Sequence, residues 1–273
     1  MKQTFTEANL WIGHALLCNA RSIEVYILGD KLGIDHSVFT SEHLRSLLFN
    51  AVALTRGFFK QLQTGCKALE RLILQDCPIN DIEISSQTQS TLSIGEDCLF
   101  EYRGQVSISA PNLIHFGFFR HQRSQRIPLL KNMESLVTAY ITLDWFPLNG
   151  AHVDDIRQFL LGLSGVRKLD LYFPWLEVMG NNLQWCPEFN NLKFLTLGKW
   201  CLDASFCGLI AFLQNSPNLE QLTLDLEGVR AFLHMYILYA CSLKVKLVCF
   251  SCCSMLPNVN HSWESKDFYV STL

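Results

Sequence analysis

One apolar pattern recurs nine times between residues 23 and 224 of the chain. Each copy has an apolar residue, two variable positions, a second apolar residue, one variable position and a third apolar residue. Successive copies begin 21, 25, 20, 24, 23, 30, 26 and 27 residues apart. The starting residues are Ile23, Leu44, Leu69, Gln89 (a degenerate copy), Leu113, Leu136, Val166, Leu192 and Leu219. Such a regular recurrence constrains the fold more than any other feature of the sequence.

The spacing within the pattern fits a short β-strand. Residues two apart in a strand point to the same side, so the last two apolar residues of each copy face one side together. One such unit cannot bury its apolar face, but stacked neighbours form a continuous core. The period of 20–29 residues is that of leucine-rich repeats. We therefore predict an α/β leucine-rich-repeat solenoid with a curved parallel sheet on its concave side and helices and irregular segments on its convex side.

Helical periodicity lies between several copies of the pattern. Residues 154–163 have an acidic start followed by apolar residues at positions i, i+3, i+4 and i+7. Residues 203–213 repeat this arrangement, with Asp203 as the predicted N-cap, and residues 57–62 offer a shorter version. Helices pack about 10 Å apart and strands about 4.8 Å apart, so the stack is predicted to curve with its strands inside.

A doubly wound α/β domain also alternates strands and helices. The sequence contains neither a GxGxxG nor a GxxxxGK[ST] turn, and its short, uniform period favours the solenoid. HExxH, GxSxG, EF-hand and kinase motifs are also absent from the sequence. The carboxylates are spread among loops and helix starts, and the eight histidines are isolated. We therefore predict that the protein is not an enzyme and needs no cofactor or metal.

Composition narrows the class of partner and the compartment. The chain is 49% hydrophobic, which allows a large core, and its net charge of −3 argues against nucleic-acid binding. The basic segment 120–126 is interpreted as a solvated loop. The first residues lack the apolar run of a secretory signal, and residues 231–243 are too short to cross a bilayer. Eleven scattered cysteines suit reduced thiols, so we expect a cytoplasmic or nuclear protein without membrane contact.

The candidate binding residues come from the variable positions in and just after the predicted strands. The repeat directs these positions to solvent on the concave face, where repeat proteins usually bind their partners. Aromatic and charged residues at such positions are enriched in protein interfaces. The predicted partner-binding residues are Arg71, Gln75, Asp76, His115, Tyr140, Lys168, Asp170, Tyr172, Phe194, Lys199, Trp200 and Gln221.

A CxxC sequence, Cys249 to Cys252 with Cys253 next to it, offers an alternative of a different class. A zinc site would need a second pair of ligands, and the nearest candidates are Cys241 and His261. A redox site would need a helix N-terminus in a thioredoxin-like setting. A metal or redox protein built on these C-terminal cysteines is therefore kept as a minor alternative.

Several phrases at the repeat boundaries carry a family resemblance. They lie at residues 18–25, 58–62, 64–70, 84–86, 108–113, 184–187, 189–192 and 215–220. With these phrases, residues 5 to 226 resemble the large plant F-box proteins with leucine-rich repeats, particularly those abundant in grasses. Members of that family dock the Skp adaptor of a cullin-RING ubiquitin ligase through an N-terminal F-box, and their repeats select the protein to be ubiquitinated. The resemblance implies substrate recognition in protein turnover.

The sequence also departs from that family. It contains no Leu-Pro-led F-box signature, so we expect the repeat region only, without direct Skp binding. Residues 227–273 lack the repeat form, and the segment 243–248 puts a lysine at a core position of the pattern. We predict a repeat domain at 1–226 and a divergent tail at 227–273 that is poorly packed or an atypical cap, as in a truncated member or a gene-model fragment. A ubiquitin-independent adaptor or scaffold stays open as the alternative function.

Overall fold

The structure, a computed structural model, describes residues 2–95, 97–102, 104–120, 127–143, 153–172, 186–198, 207–225 and 244–248. Some sequence predictions fall outside these residues: the partner-binding candidates Lys199 and Trp200, the N-cap Asp203, the basic loop residues 121–126 and the C-terminal cysteines Cys249, Cys252 and Cys253.

Within the described residues, one ten-stranded sheet runs through the whole molecule, and its strands lie side by side in sequence order. A doubly wound sheet would reverse its strand order at a switch point, so this order confirms the solenoid. The strands between residues 22 and 225 pair in parallel, and the strand at Lys244–Val248 is antiparallel to the strand at Gln221–Asp225. The strands are β1 (Ser22–Tyr26), β3 (Ser46–Asn50), β5 (Arg71–Gln75), β8 (Thr91–Ile94), β11 (His115–Arg120), β13 (Thr138–Leu143), β14 (Lys168–Tyr172), β15 (Phe194–Gly198), β16 (Gln221–Asp225) and β17 (Lys244–Val248).

The strands form where the sequence pattern predicts them, because the second and third apolar residues of each copy point into the core. In seven copies each of these two side chains is at most 2% exposed. Burial of one leucine side chain contributes about 1.5–3 kcal/mol, so these buried side chains supply much of the stability. The pairs are Leu47 and Phe49, Leu72 and Leu74, Leu92 and Ile94, Phe116 and Phe118, Ala139 and Ile141, Leu169 and Leu171, and Leu195 and Leu197.

The first copy of the pattern is wrong by three residues. The register pairs Ile23 with Leu47, so Ile23 is the second apolar residue of its repeat and Ala20 the first. Tyr26 and Leu28, which the sequence places in the core, are 58% and 99% exposed. An odd shift exchanges the two faces of a strand, which is why both residues point to solvent.

Turns of similar sequence precede several strands of the ten-stranded sheet. Asparagine side chains join consecutive turns: Asn112 Nδ2 donates to the Gln87 carbonyl at 2.6 Å, and Asn218 Nδ2 donates to the Asn190 carbonyl at 2.7 Å. These bonds satisfy turn carbonyls that no strand partner reaches. They give a structural reason for the asparagine that precedes the first apolar residue in several repeats.

The helices lie on the opposite side of the core from the sheet. The predicted helices at 57–62 and 154–163 are confirmed, and their apolar residues, such as Phe58, Phe59, Phe159 and Leu160, are buried. The described part of the third predicted helix begins at Cys207. The helices in the described residues are α1 (Lys2–Leu17), α2 (Phe58–Gly65), α3 (Val153–Gly162) and α4 (Cys207–Gln214), with a 3-10 turn at His36–Val38.

Strands replace helices on the convex side of the middle repeats. The repeats that start at Leu69, Gln89 and Leu113 span 20, 24 and 23 residues, whereas those with α2, α3 and α4 span 25, 30 and 27. A strand rises about 3.3 Å per residue and a helix about 1.5 Å, so a shorter repeat can cover the convex side as a strand. The described convex segments of these repeats form a sheet of β7 (Glu83–Ser85), β10 (Ser107–Ser109) and β12 (Leu129–Lys131). Two short pairs follow strands of the main sheet: β2 (Leu32–Gly33) with β4 (Val52–Ala53) in the first two repeats, and β6 (Pro78–Ile79) with β9 (Leu99–Phe100) in the next two.

Beyond residue 226 the structure describes strand β17. Its register pairs Leu222 with Leu247 and Leu224 with Val245. The division of the chain at residue 226 and the loose packing of the tail stay predictions. Among the helices that the structure describes, none has the length and apolar character needed to cross a membrane.

Candidate partner-binding surface

The sheet turns one face to the core and the other to solvent, and parallel pairing aligns the outward residues in rows. One row runs from His115 through Thr138 and Lys168 to Phe194 across four adjacent strands. The sequence-predicted residues at outward positions of the described strands are Arg71, Gln75, His115, Tyr140, Lys168, Asp170, Tyr172, Phe194 and Gln221. Contact between these residues and a partner stays a prediction.

Three aromatic rings lie in contact on this face. The ring of Phe119 on β11 stacks on that of Tyr140 on β13 with centroids 5.1 Å apart, and Tyr140 meets Tyr172 on β14 at 5.4 Å. We call these three residues the aromatic row. Tyr140 is 37% exposed although both of its ring neighbours pack against it. Rigid amphipathic rings of this kind supply large contact area at small entropic cost.

Glycines bound the aromatic row on both sides. Gly117 is aligned with Tyr140 on the neighbouring strand, and Gly198 is aligned with Tyr172. A Cβ at Gly198 would collide with the Tyr172 ring, whereas one at Gly117 would meet the Ser93 hydroxyl at 2.9 Å and the Phe119 ring at 3.4 Å. Gly198 therefore leaves the space that the Tyr172 ring occupies.

Polar groups lie beside the aromatic row. Lys168 Nζ and an Asp170 carboxylate oxygen form an ion pair at 3.4 Å on the same strand. His115 Nδ1 hydrogen-bonds the Thr138 hydroxyl across the strand pair. Phe194, half-buried, continues the row that contains Lys168. The patch thus combines apolar rings with charges of both signs, the composition of a protein interface.

Other predicted residues lie apart from this patch. Arg71 and Gln75 are on β5, which β8 separates from β11. Gln75 accepts a hydrogen bond from Asn50 Nδ2 at 3.3 Å, and Asp76, which follows β5, forms an ion pair with Lys31. They form a second group near the N-terminal third of the sheet.

Gln221 on β16 is aligned with Phe194 on β15, and its Nε2 donates to the Thr223 hydroxyl at 3.4 Å. The structure therefore brings together seven of the predicted residues and leaves Arg71, Gln75 and Asp76 at a distance. The seven are His115, Tyr140, Lys168, Asp170, Tyr172, Phe194 and Gln221.

Sequence reasoning missed Phe119. It follows the core residue Phe118 directly and so looks like part of the core run. Its position is one residue past the last apolar residue of the pattern, the position that Tyr172 occupies in its own repeat. Comparing equivalent positions between repeats would have identified it.

In the described ranges, no group of three or more His, Cys, Asp or Glu side chains is placed to hold a metal ion. The thiols of Cys18, Cys66, Cys77, Cys98 and Cys186 are free. Burial raises the pKa of Cys66 and raises that of Cys186 to about 12, so both thiols are protonated at neutral pH.

Comparison with known proteins places these observations in a family. The family model described as "At1g61320/AtMIF1, LRR domain" matches residues 31–259, which include most of the described sheet. No solved protein structure matches the chain.

Relatives from Arabidopsis thaliana carry related names. The F-box/LRR-repeat protein At3g59250 is 32% identical over 221 residues, which are 76% of this chain and 50% of that protein. The F-box/LRR-repeat protein At5g38396 is 29% identical over 64% of this chain and 40% of its own length. The FBD-associated F-box protein At4g13985 is 31% identical over 66% of this chain and 41% of its own length. The chain spans half or less of the length of these relatives. It belongs to the plant F-box/LRR-repeat family, which it matches through the leucine-rich-repeat domain.

Proposed function

We propose that the chain is a protein-interaction module that binds a partner across the outward face of the ten-stranded sheet, with the aromatic row at the centre of the contact. The stacking of Phe119, Tyr140 and Tyr172 on the solvent side is the observation that carries this proposal. Exposed aromatic side chains held in place by their neighbours are the usual centres of binding energy in interfaces. Interaction, rather than catalysis, is the function that this surface supports.

The residues around the aromatic row define how a partner would be recognised and oriented. Apolar side chains of the partner would cover the rings, whereas Lys168, Asp170 and His115 would set its orientation through charge and hydrogen bonding. The group formed by Arg71, Gln75 and Asp76 lies too far along the sheet to touch the same short segment. We propose that it contacts a large partner only at its periphery.

The family suggests what such binding is for. We infer that the partner is a protein destined for ubiquitination and that the repeats act as the recognition part of a ubiquitin-ligase subunit, because the relatives are named F-box proteins. We further propose that this segment does not itself bind the Skp adaptor. The alternative is an adaptor or scaffold that uses the same face without ubiquitin, in the cytoplasm or the nucleus.

Affinity capture with matched variants tests the surface. Wild-type protein and the Tyr140→Ala, Tyr172→Ala and Tyr102→Ala variants would be incubated with plant extract, and captured proteins quantified by mass spectrometry. Tyr102 is a control because it is 48% exposed and lies in a loop after β9. We expect one set of partners to be lost with Tyr140→Ala and Tyr172→Ala and kept with Tyr102→Ala. Equal recovery with all four proteins would refute a contact centred on the aromatic row.

A second experiment separates the ligase role from the alternative. Captured material would be probed for cullin subunits and for ubiquitinated forms of the partner, and the purified Skp adaptor would be tested for direct binding. Detection of ubiquitin on a partner whose capture depends on the aromatic row supports ligase recognition. A stable partner that never acquires ubiquitin favours the scaffold. Direct binding of the purified Skp adaptor would contradict the proposal that this segment does not bind it.

A further inference from the structure

Two cysteines from consecutive repeats lie next to each other just beyond the C-terminal ends of the inner strands β5 and β8. Cys77 precedes strand β6 and Cys98 precedes strand β9, and these strands pair with Pro78 beside Leu99. The Leu99 N–H donates to the Cys77 carbonyl at 3.0 Å, and the Cys77 N–H donates to Cys98 Sγ at 3.4 Å. The Cys98 sulfur is therefore directed at Cys77.

This placement meets the geometric requirement for a disulfide. Neighbouring strands lie about 4.8 Å apart, and disulfides join residues whose Cα atoms are about 4.4–6.8 Å apart. The Cys77 thiol is fully buried, and it hydrogen-bonds the Gln75 carbonyl at 3.1 Å and the Phe49 carbonyl at 3.7 Å. Cys98 is partly exposed, so a small oxidant can reach the pair from its side.

The surroundings of the pair favour ionisation of one thiol. A hydrogen bond from the Cys98 thiol is the main cause that lowers the pKa of Cys77, against the opposing effect of burial. Backbone hydrogen bonds and, to the smallest extent, the charge of Lys31 lower the pKa further. The pKa of Cys98 is raised, because its proton is held between the two sulfurs and because the site is buried. This division of roles is the one that reactive dithiols use: one sulfur carries the charge and the other keeps the proton.

We propose that Cys77 and Cys98 are a reversible oxidation site, which closes into a disulfide between the third and fourth repeats on exposure to a peroxide. The Cys77 thiolate attacks one oxygen of hydrogen peroxide and the O–O bond breaks, so that the products are a Cys77 sulfenic acid and, after protonation, water. The Cys98 sulfur then attacks the sulfenic sulfur of Cys77 and the S–S bond forms. The departing hydroxide takes the Cys98 thiol proton and becomes a second water. Two thiols lose two electrons, and one peroxide becomes two molecules of water.

The crosslink would act on the part of the sheet next to it. It joins the segment after β5 to the segment after β8, beside Gln75 and Asp76. Closing the loop between residues 77 and 98 removes freedom mainly from the unfolded chain. We expect the thermal midpoint of the oxidised protein to rise by about 5 °C or more. Disulfides of reducing compartments are usually of this transient, regulatory kind.

The test uses the full chain, reduced and then treated with hydrogen peroxide. Peptide mapping without reductant should give a linked peptide containing Cys77 and Cys98, lighter by two hydrogens and restored by dithiothreitol. The Cys77→Ser and Cys98→Ser variants should lose both the linked peptide and the rise in thermal midpoint, whereas Cys66→Ser should keep both. Because the map is made on wild-type protein, it decides the question even where a variant folds poorly.

A lysine pair provides a kinetic control. Lys31→Gln should slow formation of the Cys77–Cys98 link by about twofold at neutral pH, whereas Lys67→Gln, which replaces an exposed lysine in a turn, should leave the rate unchanged. Oxidation that joins other cysteines, or that leaves Cys77 and Cys98 alkylatable, would overturn the proposal. An equal rate in both lysine variants would remove the role assigned to Lys31.

Discussion

The carboxylate of Asp81 caps a helix of the preceding repeat by accepting a hydrogen bond from the Gly57 backbone N–H at 2.6 Å. Its second oxygen accepts from the Phe59 N–H at 3.2 Å. Gly57 lies at φ 93° and its own repeat supplies no side-chain cap for α2. The helix therefore begins where the next repeat provides an acceptor, so that the two repeats stabilise each other.

Replacing Asp81 should cost stability. We expect Asp81→Ala to lower the free energy of unfolding by about 1–2 kcal/mol, because two N–H groups at the start of α2 lose their acceptor. Asp81→Asn keeps one amide oxygen and should lose less. Urea unfolding followed by circular dichroism measures both, with Asp30→Ala in an exposed loop as the control. Equal losses in Ala and Asn variants would contradict the capping role.

The asparagine bonds between turns should contribute individually. Asn112→Ala is expected to lower the free energy of unfolding by about 0.5–1.5 kcal/mol, since the Gln87 carbonyl loses its donor. Asn112→Asp should be no better, because a carboxylate has no N–H to donate. Asn190→Ala removes only a bond to the neighbouring Glu188 and should be nearly neutral. A neutral Asn112→Asp variant would show that the turn does not depend on this donor.

Two glycines in helices should respond oppositely to alanine. At Gly65, the last residue of α2, an added Cβ would collide with the Phe39 carbonyl, and the Gly65 carbonyl already accepts from the Ser41 N–H at 2.8 Å. We expect Gly65→Ala to lower the free energy of unfolding by about 1–3 kcal/mol or more. Gly13 in α1 has no atom within 4 Å of an added Cβ, so Gly13→Ala should raise it by up to about 1 kcal/mol. Thermal and urea unfolding of both variants would show whether steric contact or helix propensity dominates.

Alkaline pH should destabilise the protein through Cys186. Burial raises the pKa of this thiol to about 12 in the folded state, whereas the unfolded thiol ionises near pH 8.5. A raised folded pKa means that the stabilisation is complete below about pH 8.5 and is lost as the pH rises toward 12. Between pH 8 and pH 10 the wild type should lose about 1–2 kcal/mol more than Cys186→Ala, measured by urea unfolding under reducing conditions. Parallel pH curves for the two proteins would exclude this cause.

The sequence predicts the sheet well because each strand is marked by two residues of the same face. Leu72 with Leu74 and Leu169 with Leu171 leave little choice of register, since a shift by one or three residues would expose both. The first repeat was misplaced because Tyr26 and Leu28 fit the apolar pattern while lying on the outward side. The apolar character of a residue does not by itself show which face of the strand its side chain occupies.

The convex side was only partly predictable. Helical periodicity identified α2 and α3, but the three short strands β7, β10 and β12 were not expected. Their repeats are shorter than those with helices, a fact visible in the spacing of the pattern, and length decides how the chain crosses from one strand to the next. Spacing therefore carries information about the convex side that periodicity lacks.

The candidate site was predicted by position but not by contact. The repeat placed Tyr140 and Tyr172 on the outward face, yet the contact between them and Phe119 depends on side-chain rotamers and on the glycine at 198. One sequence does not reveal such packing, because residues in contact on neighbouring strands are about 25 positions apart along the chain. The structure adds which of the outward residues form one patch.

The sequence order of the strands also bears on how such a chain can change over generations. In the described parallel sheet, each inner strand bonds only to the strands of the repeat before it and the repeat after it. An in-frame duplication or loss of one whole repeat would join two edges that already share the same hydrogen-bonding register. Recombination within a gene could thus lengthen or shorten the recognition surface in single steps, and move the aromatic row relative to the group at Arg71, without inventing a new core.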